Sequence, residues 1–330
     1  MSKLSDDPRV DPRIKELMGS MPVAAAKNVE NREKLLERAS RPESLARMNE
    51  MTAMFELADN EQVAPSDGLS ITEHEFVSQP DGNTIKIQFI RPDSDQHLPC
   101  VYYIHGGGMQ SMSCFNGLYR AWGKIIAAQG VAVAMVDFRN CVTPSSAPEV
   151  APFPAGLNDC VSGLRWLVSQ AEALGVDSQH IIVSGESGGG NLTLATGLQL
   201  KNDGDIGLVR GLYALCPYIA GAWPQDRYPS SVENNGLLLD LHNNHGAVAY
   251  GIAEFENNRR KERQKQGIRA AQKEGKYTER KSVINQTLIN KVKDLKEKKN
   301  LSVTEIARVI GISRPTIYKV LKNELGYLSN

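Results

Sequence analysis

The sequence predicts two folds in one chain: an α/β domain built on a parallel sheet, and a small all-helical domain behind it. Three observations carry that reading. Between residues 71 and 215, apolar runs of strand length alternate with segments of helical period, the pattern of a sheet covered on both faces. The alternation stops near Tyr250, where polar helical sequence takes over. The charge reverses at the same place. Residues 251–330 hold 19 Lys and Arg against 9 Asp and Glu, a net of +10, while residues 1–250 hold 19 against 29, a net of −10. A chain of 330 residues that is neutral only by cancellation has two parts with different partners, and the basic part suits nucleic acid or a membrane surface.

Residues 1–60 read as helices, because 13–18, 30–39 and 42–57 space their apolar side chains three and four apart with charge between them. From Ile71 the period becomes two. Residues 71–78 and 84–91 form two strands around the turn Pro80-Asp81-Gly82-Asn83, with Ile85, Ile87 and Phe89 alternating with Lys86, Gln88 and Ile90. Residues 100–104 and 131–136 are buried strands flanking a helix at 118–129. A helix over 158–173 leads to a strand at 180–183, a further helix follows Ser187, and 209–215 is another strand. Beyond Tyr250, residues 252–272 contain no proline and read as one long polar helix, 275–281 as an extended arm, and 285–299, 303–310 and 314–323 as three short helices.

Several classes are excluded. The longest apolar runs, such as 131–136, are strand-sized and too short to cross a bilayer, and the first residues carry no apolar signal segment. The five cysteines include no Cys-x-x-Cys pair and are expected to be buried apolar groups in a reducing compartment, which places the protein in the cytoplasm. The six histidines are scattered with no metal-ligand spacing, so neither a metal nor a cofactor is expected.

Two glycine-rich motifs carry chemistry. His105-Gly106-Gly107-Gly108 ends the 100–104 strand, and Gly185-Glu186-Ser187-Gly188-Gly189-Gly190 joins the 180–183 strand to a helix. The second is G-x-S-x-G in the strand–turn–helix context of a nucleophile elbow, where a sharp turn lifts the Ser187 hydroxyl above the sheet at the positive end of a helix. The N–H groups of Gly107, Gly108 and Gly188 are expected to converge on the oxyanion of a tetrahedral intermediate. This stretch resembles the hormone-sensitive-lipase-like carboxylesterases of the α/β-hydrolase fold, from about residue 67 to 251, with residues 1–60 in the place of that family's helical cap. Val136-Asp137-Phe138-Arg139 matches its strand-end D-[YF]-R, while Glu186 and Gly188 replace the usual Asp and Ala. The resemblance implies a triad ordered Ser, Asp, His, yet the acid box and the histidine loop are both missing. Downstream of Ser187 stand only His242 and His245, where the family has a helix. The resemblance also implies eight strands, of which six are present. The 209–215 strand is then left as an unpaired apolar edge that can self-associate.

The basic tail belongs to another class. Counting from Val303, a twenty-residue helix-turn-helix pattern places Ile306, Ile310, Ile312, Ile317 and Val320 at its apolar positions, with small Ala307 and Gly311 at the helix contact and the turn. Ser313 suits capping or phosphate contact at the start of the second helix, as does Thr316, and Arg314, Thr316, Tyr318 and Lys319 form the face expected in a major groove. The tail from about 252 to 330 resembles the C-terminal part of the resolvase/invertase serine recombinases. That resemblance implies a long subunit-pairing helix and an extended arm with Lys276, Arg280 and Lys281 in the minor groove. That family's catalytic domain is absent.

The sequence therefore reads as a chimera: a helical cap region at 1–66, a truncated α/β-hydrolase core at 67–251, a long basic helix and minor-groove arm at 252–282, and a helix-turn-helix at 283–330. The expected partners are duplex DNA and a small acyl ester, with weak self-association and no membrane. Two further readings stand beside this one: a working carboxylesterase, or a fusion with no function as a unit.

Overall fold

The structure is a computed structural model that describes residues 3–20, 24–25, 29–219, 224–237, 239–240 and 286–324. The chain forms two compact units, Met1–Arg260 and Lys261–Asn330.

The first unit opens with helices α1 (Lys3–Asp6) and α2 (Pro12–Met18), a two-residue strand β1 (Ala24–Ala25), and helices α3 (Arg32–Ala39) and α4 (Pro42–Glu56). Their starts follow local chemistry. The Asp11 and Asn31 side chains accept from the N–H groups of Arg13 and Lys34, and Pro12 and Pro42 occupy first-turn positions that have no donor to lose. There follow β2 (Leu69–Val77), β3 (Thr84–Pro92), β4 (Leu98–Ile104), α5 (Gly117–Ala127), β5 (Ala132–Val136), α6 (Ala155–Ser169), α7 (Ala171–Leu174), β6 (Val176–Glu186), α8 (Gly188–Asp203), β7 (Gly211–Leu215), α9 (Pro229–Asn234) and β8 (Leu239–Asp240).

Six strands make one sheet in the order β2-β3-β5-β4-β6-β7. The β2–β3 hairpin is antiparallel and joins β5 antiparallel, while β5, β4, β6 and β7 run parallel. Strict alternation sorts the central side chains. Tyr102, Ile104, Ala134 and Val136 face α6 and α8 with Leu164, Val183 and Leu192, whereas Tyr103, Val133 and Met135 face α5 with Tyr119 and Ala127. Met51 and Phe55 of α4 pack against the second cluster, which ties the N-terminal helices to the core. The tie is also ionic: Asp59 pairs with Lys124 at 2.5 Å and with Arg120, and Glu56 accepts from the Gly117 N–H at 2.8 Å. Burial opposes ionisation of Asp59, but the two cations outweigh it and hold its carboxyl below the ordinary value.

Each of the six expected strands is present. The largest difference is β6, which starts at Val176 and not near His180. Its first half, Asp177-Ser178-Gln179-His180, is polar and partly exposed, so no apolar run announces it. Pairing of Leu98 with Val176 recruits it across a register shift. At the other edge of the sheet, β7 has no second partner strand among the described residues. Gly211, Tyr213 and Leu215 share a face with Ile182, and Tyr213, Leu215 and Ile182 are 60%, 44% and 37% exposed. Of the five cysteines, Cys100, Cys114, Cys141 and Cys160 are buried and Cys216 is exposed, all as free thiols. No helix among the described residues is long and apolar enough to cross a membrane.

The second unit contains α10 (Gln286–Lys293), which passes into a π-helical turn (Asp294–Lys298), then α11 (Val303–Ile310) and α12 (Arg314–Glu324). Leu288, Val292, Leu295, Ile306, Ile317, Val320 and Leu321 form its core. The expected long helix at 252–272 and the arm at 275–281 lie outside the described residues.

Candidate active site and candidate nucleic-acid interface

Ser187 stands between the end of β6 and the start of α8 with φ 54° and ψ −117°, a left-handed backbone that costs a non-glycine residue of order 1–3 kcal/mol. Three backbone bonds fix it there. Its N–H donates to Leu215 O at 3.0 Å, and its carbonyl accepts from the N–H groups of Tyr218 and Asn191 at 2.8 and 3.1 Å. The glycines around it are small because other backbone lies against them. A Cβ on Gly188 would sit 2.8 Å from the Gly108 nitrogen, and one on Gly189 would sit 2.0 Å from Ile104 O. The elbow and the glycine loop are thus in direct contact, and Gly107 and Gly108 adopt φ 92° and 62°, which side chains resist. Ser187, Gly108 and Gly188, expected to work together, are brought together. Gly107 is the residue before Gly108, and its carbonyl accepts from the N–H groups of Gln110 and Ser111 at 3.0 and 3.3 Å.

Two residues that brace this arrangement were not singled out by sequence. Glu186, next to the serine, accepts from the Gly106 N–H at 2.7 Å and from the Tyr103 hydroxyl, and Tyr119 also bonds it. Burial pushes its carboxyl above the ordinary value despite these donors. His105 is fully buried, stacks on Phe138 with ring centroids 4.3 Å apart, and places Nε2 4.0 Å from Asp137 Oδ1. Burial pulls its imidazole below the ordinary value, against the opposing effect of Asp137. Asp137 in turn accepts from the N–H groups of Cys114 and Ser146 at 3.0 and 2.7 Å. The only signals for these roles were their places inside the two glycine motifs and the D-F-R box.

A cavity of about 420 Å3 lies between α3, α4 and the loops at 110–111 and 142–143. It adjoins the glycine loop through Gln110 and Ser111.

The family profile described as alpha/beta hydrolase fold matches residues 101–263. The solved structure of esterase Est22 superposes with a TM-score of 0.74 at 61% identity, over 77% of this chain and 74% of that one. The chain belongs to the α/β-hydrolase family. Brefeldin A esterase, a bacterial homologue of human hormone sensitive lipase, superposes on this α/β-hydrolase with a TM-score of 0.64 at 31% identity, over 76% of this chain and 70% of that one. Among curated proteins, carboxylesterase NlhH of Mycobacterium tuberculosis is 33% identical over 201 residues, 59% of this chain and 53% of that protein. Tuliposide A-converting enzyme 2 of Tulipa gesneriana is 31% identical over 156 residues, 44% of this chain and 38% of that protein. The chain therefore spans about half or less of the length of these curated relatives. A second profile, the helix-turn-helix domain of resolvase, matches residues 280–324.

In this α/β-hydrolase unit no imidazole or carboxylate among the described residues hydrogen-bonds the Ser187 hydroxyl. Downstream of the serine, Asp203 and Asp205 pair with Arg165 at 2.7 and 2.6 Å, and Asp226 is exposed. His242 and His245 lie outside the described residues.

In the resolvase-type unit, α11 begins with a capping box in which Ser302 and Glu305 satisfy each other's backbone N–H, and it ends at Gly311 with φ 76°. Helix α12 then buries Ile317, Val320 and Leu321 and leaves Arg314, Tyr318 and Lys319 exposed. Ser313 and Thr316 lie 3.0 Å apart, hydroxyl to hydroxyl, at its start. Lys276, Arg280 and Lys281 lie outside the described residues.

Proposed function

We propose that the chain binds duplex DNA through its helix-turn-helix unit, and that its hydrolase unit keeps at most a slow serine chemistry on short acyl esters. The observation that carries the DNA reading is the two-sidedness of α12: an apolar row fixed on α10 and α11, and an exposed row of Arg314, Tyr318 and Lys319. These side chains suit major-groove edges, and Ser313 and Thr316 suit phosphate. Lys276, Arg280 and Lys281 are proposed to reach the minor groove. With about five phosphates neutralised, log K falls with log salt at a slope of about −4 to −5. A mobility shift of the full chain on duplex DNA tests this, and binding insensitive to salt would remove it.

The second reading rests on the strained serine against the glycine loop. In it, Ser187 Oγ attacks the ester carbonyl, and the N–H groups of Gly107, Gly108 and Gly188 hold the oxyanion. Each such donor is worth roughly 3–4 kcal/mol in the transition state. The Oγ–carbon bond forms as the hydroxyl proton passes to solvent, the carbonyl–alkoxy bond breaks with the leaving oxygen taking a proton from solvent, and water then hydrolyses the acyl-serine to the acid and free Ser187; solvent in place of an imidazole makes each step slow. The expected result is p-nitrophenyl acetate turnover far below that of an intact esterase and abolished by Ser187→Ala. A rate near that of an intact enzyme would assign the base to His242 or His245. Four buried free thiols fit a reducing, cytoplasmic setting.

A further inference from the structure

We infer that His105 is a positioning residue for the glycine loop: its Nδ1–H, bonded to the Gly106 carbonyl, fixes the peptide plane that presents the Gly107 N–H to an oxyanion. The inference rests on the ester reading of Ser187 and adds a residue to that machinery.

In a planar trans peptide the carbonyl oxygen and the N–H of the next residue point in opposite directions, so holding one aims the other. The loop from His105 to Gly108 contains three such planes, all trans. The plane between His105 and Gly106 is held by its N–H, which donates to Glu186 at 2.7 Å. The plane between Gly107 and Gly108 is held by its carbonyl, which accepts from the N–H groups of Gln110 and Ser111 at 3.0 and 3.3 Å. The middle plane is held by the His105 ring, whose Nδ1 lies 2.9 Å from Gly106 O. No other described group bonds that carbonyl, and the N–H groups of Gly107 and Gly108 donate to no described residue. The loop touches the elbow at both ends. A Cβ on Gly189 would sit 2.5 Å from His105 O, and one on Gly188 would sit 2.8 Å from the Gly108 nitrogen. The Gly106–Gly107 peptide spans the interval between these two contacts.

A carbonyl oxygen only accepts, so the proton of the 2.9 Å bond resides on Nδ1. Burial favours the neutral ring, which carries that proton alone and leaves Nε2 bare. Nε2 has no hydrogen-bond partner among the described residues and stands 4.0 Å from Asp137 Oδ1, beyond hydrogen-bond reach. Asp137 is satisfied elsewhere, by the N–H groups of Cys114 and Ser146 at 3.0 and 2.7 Å. Phe138 and Tyr119 hold the imidazole in place, with ring centroids 4.3 and 5.4 Å away. An apolar side chain could fill this space, and what the imidazole adds is the Nδ1 donor to the loop.

The test uses the full-length protein. Nitrogen NMR of isotope-labelled histidine at neutral pH is expected to show an Nδ1–H ring that disappears in His105→Asn. In the kinetic arm, asparagine places an amide N–H where Nδ1 stood, and glutamine places one where Nε2 stood. On Ser187-dependent p-nitrophenyl acetate turnover, His105→Leu is expected to lower kcat by roughly a hundredfold with KM little changed, because an oxyanion donor acts in the transition state. His105→Asn is expected to recover about tenfold of that loss and His105→Gln none. Tryptophan fluorescence in urea shows whether each variant is folded, and where one is not, the tautomer of the unsubstituted protein decides. An Nε2–H or doubly protonated ring, equal loss in the Asn and Gln variants, or unchanged turnover in His105→Leu would each overturn the assignment. An Nδ1–H ring without Ser187-dependent turnover would instead discard the ester reading and keep His105 as the residue that fixes the Gly106–Gly107 plane.

Discussion

The Glu186 carboxylate, one residue before the elbow serine, accepts a 2.7 Å hydrogen bond from the backbone N–H of Gly106. One side chain thereby joins the strand that presents the hydroxyl to the loop expected to hold the oxyanion. Burial raises its pKa, so the folded chain holds that proton more tightly than the unfolded chain. Its contribution to stability is fully present below the ordinary carboxylate pKa and is lost as pH rises through the raised folded value. Glu186→Gln is expected to flatten this decline, while Glu186→Ala leaves the Gly106 donor unpaired at a cost of about 1–3 kcal/mol. Urea unfolding followed by tryptophan fluorescence checks both. Trp122, Trp166 and Trp223 are the chain's 3 tryptophans, all in the hydrolase unit, so the signal reports that unit alone.

Arg139 and Asp159 form a buried pair. The Arg139 side chain donates to both Asp159 oxygens at 2.8 and 2.9 Å and also reaches Asp81 and Asn83 in the β2–β3 turn. Asp159→Asn removes the buried one of the two carboxylates that pair with Arg139, leaving the cation only the partly exposed Asp81. The expected loss is about 3–5 kcal/mol, read as a lower urea midpoint by the same fluorescence.

The β7 edge carries no charge between Gly211 and Leu215 and exposes Tyr213 and Leu215 beside Ile182. Tyr213→Lys places a cation on that edge and is expected to reduce concentration-dependent self-association, measured by light scattering, with little change in the unfolding midpoint. Unchanged scattering would locate the association elsewhere.

On α12, Arg314→Ala or Lys319→Ala is expected to weaken duplex binding and make the salt slope shallower by about one if the side chain meets phosphate. A base-reading side chain would relax specificity at one position and leave the slope unchanged. Ser302→Ala removes the N-cap of α11 and is expected to cost about 1 kcal/mol, read by far-UV circular dichroism of the full chain.

The parts of the fold legible in sequence were those written in local terms. Tyr102 and Tyr103 fall on opposite faces because alternation is a property of an extended chain. Gly311 ends α11 because its left-handed turn disfavours other residues. The polar start of β6 was not legible, since Asp177 to His180 become strand only through the pairing of Leu98 with Val176, 78 positions further along the chain.

The candidate site divides the same way. The sequence by itself determined the two ancestries, the place of Ser187 in its elbow and the cationic face of α12, because spacing along the chain and steric limits on glycine encode them. Only the tertiary structure decided that Gly188 lies against Gly108, that Glu186 reaches Gly106, and that α3 and α4 enclose a cavity with the loops at 110–111 and 142–143. Those relationships depend on how the sheet brings β4 beside β6 and how α3 and α4 fold over the loop, and close packing of distant segments has no local signature in the order of residues.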